Sequence, residues 1–158
     1  MVGCCDSLTI AVDDLRGPEI ADLLERHLEF CRFHSPPGSV HALDIEGLRR
    51  QDIVFWSAWS DRQLLGCIAL KELASDHGEI KSMHTSAEAR GRGVGRALVD
   101  HLIGTAQARA YKRLSLETGT MAAFEPARLL YRSYGFVECP PFADYFEDPN
   151  SVCMTKVL

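Results

Sequence analysis

No apolar run in this 158-residue chain approaches the roughly 20 residues that a helix needs to cross a bilayer, which excludes a helical membrane span. Basic residues are in short supply too: 17 Lys and Arg stand against 22 Asp and Glu, a net charge of −5. A nucleic-acid partner needs a broad excess of positive charge, so this balance argues against one. The opening Met1-Val2-Gly3-Cys4-Cys5-Asp6 lacks the charged and apolar blocks of a signal peptide, and the chain reads as cytoplasmic with no membrane partner. The six cysteines, at 4, 5, 31, 67, 139 and 153, are scattered, and only the adjacent Cys4 and Cys5 stand close. Free, mostly buried thiols are expected. His27, His34, His41, His77, His84 and His101 show no ligand spacing, so no bound metal is expected. Internal repeats and low-complexity stretches are missing as well.

What remains is a composition of 46% hydrophobic and 25% charged residues, ordinary for a globular chain, and a length suited to one domain over 1–158 with one core. Leu8–Val12 is a short β-rich run. Pro18 opens a helix whose apolar residues Ile20, Leu23, Leu24, Leu28 and Cys31 recur at helical spacing to about Phe33, where Ser35-Pro36-Pro37-Gly38 stops it. A short helix follows over Leu43–Arg50. Ile53–Trp59 and Leu64–Leu70 flank Asp61-Arg62 as a hairpin, and a third strand covers about Gly78–Thr85. A helix carrying Val94, Leu98, Leu102 and Ala106 ends near Ala110-Tyr111, and Leu114–Thr118 is the next strand. Pro126 opens a last helix, with Leu130 and Tyr134 on one face and Gly135 as a left-handed cap; Phe136 starts a strand and Ser151–Val157 makes the final one. The order β, α, α, β, β, β, α, β, α, β, β is that of a mixed α/β sheet.

Between the third strand and its helix lies Arg90-Gly91-Arg92-Gly93-Val94-Gly95-Arg96. Glycines there let the backbone approach a ligand and adopt unusual φ values, with Gly93 and Gly95 the expected positions. Free N–H groups at the helix start, the positive end of the helix dipole and the guanidinium groups of Arg90, Arg92 and Arg96 favour an anion at one place. A nucleotide-binding P-loop is disfavoured, because Arg96-Ala97 stands where its Lys-Ser or Lys-Thr pair belongs.

Two motifs on the right elements, Arg90-x-x-Gly93-x-Gly95 and Ala127-x-x-Leu130-Tyr131-x-x-x-Gly135-Phe136, together with the element order, make the chain resemble the GNAT superfamily of acyl-CoA-dependent N-acetyltransferases over nearly its whole length. The resemblance implies a largely antiparallel mixed sheet flanked by helices, with two central strands splayed apart. It also implies acetyl-CoA as co-substrate. Arg90, Gly91, Arg92, Gly93, Val94, Gly95 and Arg96 would bind its pyrophosphate, and Met83, His84 and Thr85 would pair with the pantetheine arm as an added strand would. A backbone N–H near Met83 would polarise the thioester.

The resemblance places the Tyr131 hydroxyl near the cofactor sulfur as general acid. The resemblance also makes Glu79, eleven residues before Arg90 where some members carry a glutamate base, and Glu117 on the facing strand, where others carry an acidic residue, rival general bases. His84 is a candidate water-mediated relay at neutral pH. Many relatives have an asparagine seven residues before the tyrosine; Phe124 stands there, and apolar packing against the pantetheine is expected of it instead. Arg128 is either surface charge or an extra phosphate contact. Direct transfer within a ternary complex follows from the lack of any Cys and His pairing signal. The acceptor is expected between Ser35–Ala42 and Phe142–Asp148, where Asp144, Glu147 and Asp148 would attract a cationic amine and Tyr145 and Phe146 form walls. A small or amino-acid-like amine leads, with a protein lysine or N-terminus, or a non-catalytic CoA-binding role, as alternatives. A homodimer is left open.

Overall fold

The computed structural model describes residues 7–158, so Cys4, Cys5 and the absence of a signal peptide read at Met1–Asp6 lie outside the described residues. The elements are β1 (Thr9–Val12), α1 (Pro18–His34), α2 (Ile45–Leu48), β2 (Ile53–Ser60), β3 (Gln63–Ala74), β4 (His77–Thr85), α3 (Val94–Ala108), β5 (Arg113–Gly119), α4 (Glu125–Ser133), β6 (Val137–Cys139) and β7 (Ser151–Val157). Their order is the expected one. The bounds differ where local chemistry intervenes. α2 is a single turn, its start capped by the Asp44 carboxylate, which accepts from the Gly47 N–H, and its end closed by the Arg49 N–H donating to the Glu46 carbonyl. β3 runs on to Ala74 because β4 pairs with it to that point.

The turns follow their residues. Asp61 and Arg62 take φ of 46° and 67°, the double positive φ of a tight hairpin turn. Gly135, at φ 89°, ends α4 with two capping bonds: its N–H donates to the Arg132 carbonyl at 2.9 Å, and the Phe136 N–H to that of Tyr131 at 3.2 Å. That cap fixes where the Tyr131 turn meets the sheet.

The strands form one sheet in the order β1-β2-β3-β4-β5-β7-β6, antiparallel except for the β4–β5 pair. α3 and α4 cover one face around Leu98, Leu102, Leu114, Leu116 and Met154. α1 and α2 cover the other around Ile20, Leu24, Leu48, Phe55 and Cys67. Cys67 and Cys153 are buried and Cys31 and Cys139 half-buried, all as free thiols. Among the described residues, no helix is long and apolar enough to cross a membrane.

The splay sits at the centre of the sheet. β4 and β5 pair only from His77↔Arg113 to Ile80↔Leu116. Beyond that, Glu117–Gly119 stays with β7, while His84 and Thr85 stay with β3. A bulge lies at the parting: Cys67 pairs with His84 and Ala69 with Lys81, so Ser82 and Met83 both oppose Ile68. Ser82 takes φ 53°, a left-handed conformation that costs a non-glycine residue about 1 kcal/mol. The bulge bends β4 where β5 continues straight, and a gap opens between them.

Candidate active site

That gap is the floor of a cleft of about 940 Å³. At one end stands the glycine turn, whose Arg90, Gly91, Gly93, Val94, Gly95 and Arg96 line it; Arg92 is not part of the wall. The left-handed positions are Gly91 (φ 76°) and Gly93 (φ 81°), and a Cβ at either would meet nothing within 4 Å. Conformation, rather than crowding, is what requires glycine there. Gly95 departs from expectation: it lies inside α3, and a Cβ there would come within 3.3 Å of Leu130. Its glycine lets α4 pack close. Arg96 is steadied from α4 by Ser133 Oγ at 3.2 Å and by the Tyr134 ring, 5.6 Å from its guanidinium. Open space, a helix N-terminus and two wall arginines suit a pyrophosphate.

Along β4, Met83, His84 and Thr85 all border the cleft. Met83 and Thr85 face the start of α3, whereas His84 turns to α1 and meets His27, Nδ1 to Nδ1 at 3.1 Å. Burial, aided by the Arg90 charge, pushes His84 down to about 4; burial, aided by His84, pushes His27 down to about 3. Both rings are therefore neutral at pH 7. His84 lacks the half-charged state near neutrality that makes a histidine an easy proton relay, and its neighbour His27 is held neutral as well.

Tyr131, 5% exposed, lines the cleft from α4 and packs edge-on against Phe136 at 5.7 Å. Burial pushes its phenol well above the usual tyrosine range. Phe124 borders the cleft and meets Phe30 of α1 edge-on at 5.5 Å. Arg128 is half-buried and does not line the cleft. Its guanidinium donates to the Gly119 and Met121 carbonyls at 2.7 and 3.0 Å, tying the end of β5 to α4.

The two carboxylates border the far end in different states. Glu79 is 2% exposed and already engaged: Tyr145 donates to its Oε2 at 2.5 Å, and Lys81 to the same oxygen at 3.2 Å. Lys81 also donates to the Tyr145 hydroxyl at 3.0 Å. Glu117, on β5, accepts one bond from Ser151 Oγ at 2.7 Å, and burial raises its carboxyl above the ordinary range. Glu117, raised by burial and bound by one hydroxyl, is suited to take a proton from an amine.

The acidic-loop expectation fails. Asp144 and Glu147 are exposed and border no part of the cleft; Asp148 is bound by Ser39 Oγ at 2.5 Å, which pins the 142–148 loop to the turn after α1. Tyr145 does form a wall, reaching inward to Glu79 and meeting the His41 ring at 5.1 Å. Nothing local singled out Ser151, whose partner Glu117 lies 34 residues away. Lys81, by contrast, stands two residues from Glu79 on the same strand, the spacing that puts two side chains on one face, and was legible in principle. His27, Phe30, Cys31 and His34 were legible in principle. They recur at i, i+3, i+4 and i+7, a second stripe on α1 beside its apolar face.

The profile of the acetyltransferase (GNAT) family matches residues 18–136. The chain is 56% identical over 149 residues to the Bacillus subtilis uncharacterized N-acetyltransferase YsnE, spanning 94% of this chain and 99% of that protein. It is 46% identical over 150 residues to Escherichia coli YedL, also an uncharacterized N-acetyltransferase, spanning 95% of this chain and 94% of the relative. Identity to an IAA acetyltransferase of Azospirillum brasilense is 33%, over 96% of this chain and 99% of the relative. A GNAT family acetyltransferase from Elizabethkingia anophelis, solved with acetyl-CoA bound, shares the fold at a TM-score of 0.70 and 22% identity, covering 97% of this chain and 99% of that one. With the family profile over most of its length and relatives this similar end to end, the chain belongs to the GNAT acetyltransferase family and is an N-acetyltransferase.

Proposed function

We propose that the protein moves an acetyl group from acetyl-CoA to a primary amine of a small, amino-acid-like acceptor by direct attack in a ternary complex. The observation that carries this reading is that one cleft at the splay has the glycine turn at one end and both Glu117 and Tyr131 in its wall. The free N–H groups at the start of α3 and the Arg90 and Arg96 guanidinium groups would hold the pyrophosphate, with Met83, His84, Thr85 and Phe124 along the pantetheine. The thioester supplies the activated acetyl group. Glu117 takes the ammonium proton, directly or through water, and so frees the amine.

For Tyr131 the raised pKa shifts the role from full acid to hydrogen-bond donor. A phenol above its usual value of about 10 loses its proton uphill to a thiolate of about 8.5, whereas a hydrogen bond to the developing thiolate has no such obstacle. Tyr131→Phe is expected to lower kcat by about 10- to 100-fold, the worth of one hydrogen bond to a charged group, with the KM for acetyl-CoA changed by less than about 2-fold. Unchanged turnover removes the donor role.

A small acceptor is supported by the roof over that end of the cleft, where Ser39 bonds Asp148 and His41 packs on Tyr145. The name of the Azospirillum brasilense relative, an IAA acetyltransferase, points the same way. Use of acetyl-CoA, an internal metabolite, fits work in the cytoplasm. Acetyl-CoA at 100 times its dissociation constant is expected to stabilise the protein by about 2.7 kcal/mol, seen as a thermal shift that ATP does not give. A thiol-release screen over amines and peptides then finds the acceptor. No shift with acetyl-CoA or CoA overturns the reading, and turnover confined to peptides overturns the small-acceptor part.

A further inference from the structure

On the α1 side of the cleft, Cys31 and His27, which the proposed function leaves unused, form a hydrogen-bonded chain with His84. Cys31 Sγ lies 3.9 Å from His27 Nε2, and His27 Nδ1 lies 3.1 Å from His84 Nδ1. The two imidazoles meet edge to face at 4.9 Å, and Phe30 packs against His84 at 6.2 Å. Position and tilt of the rings are thus set by packing.

The proton positions follow from the partners. A neutral imidazole carries one N–H, and the bond made at one nitrogen decides which. Burial pushes the Cys31 thiol up to about 11, so it keeps its S–H, and an imidazole nitrogen accepts better than a thiol sulfur does. Cys31 therefore donates to His27 Nε2, which leaves the His27 proton on Nδ1. That N–H donates to His84 Nδ1. The His84 proton must then sit on Nε2, which has no protein partner among the described residues and belongs to a ring bordering the cleft.

We propose that His27, held by Cys31, is a positioning residue that fixes His84 as its Nε2–H tautomer, so that the cleft wall presents an uncharged N–H donor to a carbonyl oxygen of the acyl-pantetheine along β4. The inference rests on the acetyl-CoA reading above. A neutral donor suits the place: an imidazolium here would face the Arg90 guanidinium, whose charge already disfavours it. A tautomer fixed in advance needs no rearrangement when the ligand arrives.

The test is a long-range proton–nitrogen NMR spectrum of the labelled wild-type protein, with kinetics of two His27 variants. In the wild type, His84 should show a pyrrole-like Nε2 and a pyridine-like Nδ1, and acetyl-CoA should move the Nε2–H signal. His27→Phe, which removes the donor, should mix the His84 tautomers and raise the KM for acetyl-CoA by about 3- to 10-fold, the worth of one neutral hydrogen bond, with kcat changed by less than about 2-fold. His27→Asn, whose amide can donate from the Nδ1 position, should recover most of that loss. A His84 protonated on Nδ1, an unchanged KM in His27→Phe, or an Asn variant no better than the Phe variant overturns the inference. The wild-type spectrum decides even if a variant fails to fold. A wild type that gives a thermal shift with acetyl-CoA but carries the other tautomer overturns this inference alone; no shift overturns the acetyl-CoA reading itself.

Discussion

Replacing Glu117 with Gln lowers kcat by about 10²- to 10⁴-fold, the range a positioned general base contributes. It also removes the acid limb of the pH profile. In the wild type that limb lies above the ordinary carboxylate range, because burial raises the Glu117 carboxyl and only the ionised form takes a proton. Stability moves the other way. A carboxyl whose pKa is higher folded than unfolded favours the fold while protonated, and that contribution is lost as pH rises through the folded value. At neutral pH Glu117 thus weakens the fold, and Glu117→Gln, which stays uncharged beside Ser151, is expected to melt at or above the wild-type temperature. Steady-state kinetics on the amine found by the screen, across about pH 5 to 9, with melting curves on the same samples, checks both effects. A variant that keeps its kcat and its acid limb removes Glu117 from the chemistry.

Glu79→Gln is expected to do the opposite, losing stability first. Glu79 and Lys81 form a buried pair, their side chains 2% and 9% exposed, and the Tyr145 hydroxyl completes it. Removing the carboxylate strands an ammonium in the interior, a change that costs about 3 kcal/mol, or about 6–12 °C in Tm for a chain of this size. The acid limb set by Glu117 should remain. Adding Lys81→Met removes the stranded charge and should restore much of the Tm, so the double variant separates the pair from any direct chemistry. A Glu79→Gln protein that melts like the wild type but loses the acid limb would reverse the assignment of the two carboxylates.

The contrast between these two glutamates shows where sequence reasoning stops. Both were candidates because each sits on a strand at a suggestive position, and strand position says nothing about partners from elsewhere in the chain. Tyr145, 66 residues away, engages Glu79, while Ser151, 34 residues away, holds Glu117 and leaves it available. The acidic loop misled for the same reason: composition suggested an amine trap, but Ser39 binds Asp148 and the other two acids face solvent. Gly95 was read as a φ position because it shares the turn with Gly93, and only the packed α4 shows that its missing Cβ makes room for Leu130.

By itself, the sequence determined the order of the elements, the left-handed turns at Gly93 and Gly135, the glycine turn before α3 and the family, because these depend on local backbone chemistry and short-range periodicity. Tertiary structure decided which carboxylate is locked in an ion pair and which is held by a single hydroxyl, that His84 is neutral and tied to His27, and that the far end of the cleft is roofed. Those properties arise from burial and from partners distant in the chain, and no local pattern of residues encodes how far a side chain will be taken from water or whose hydrogen bond it will meet there.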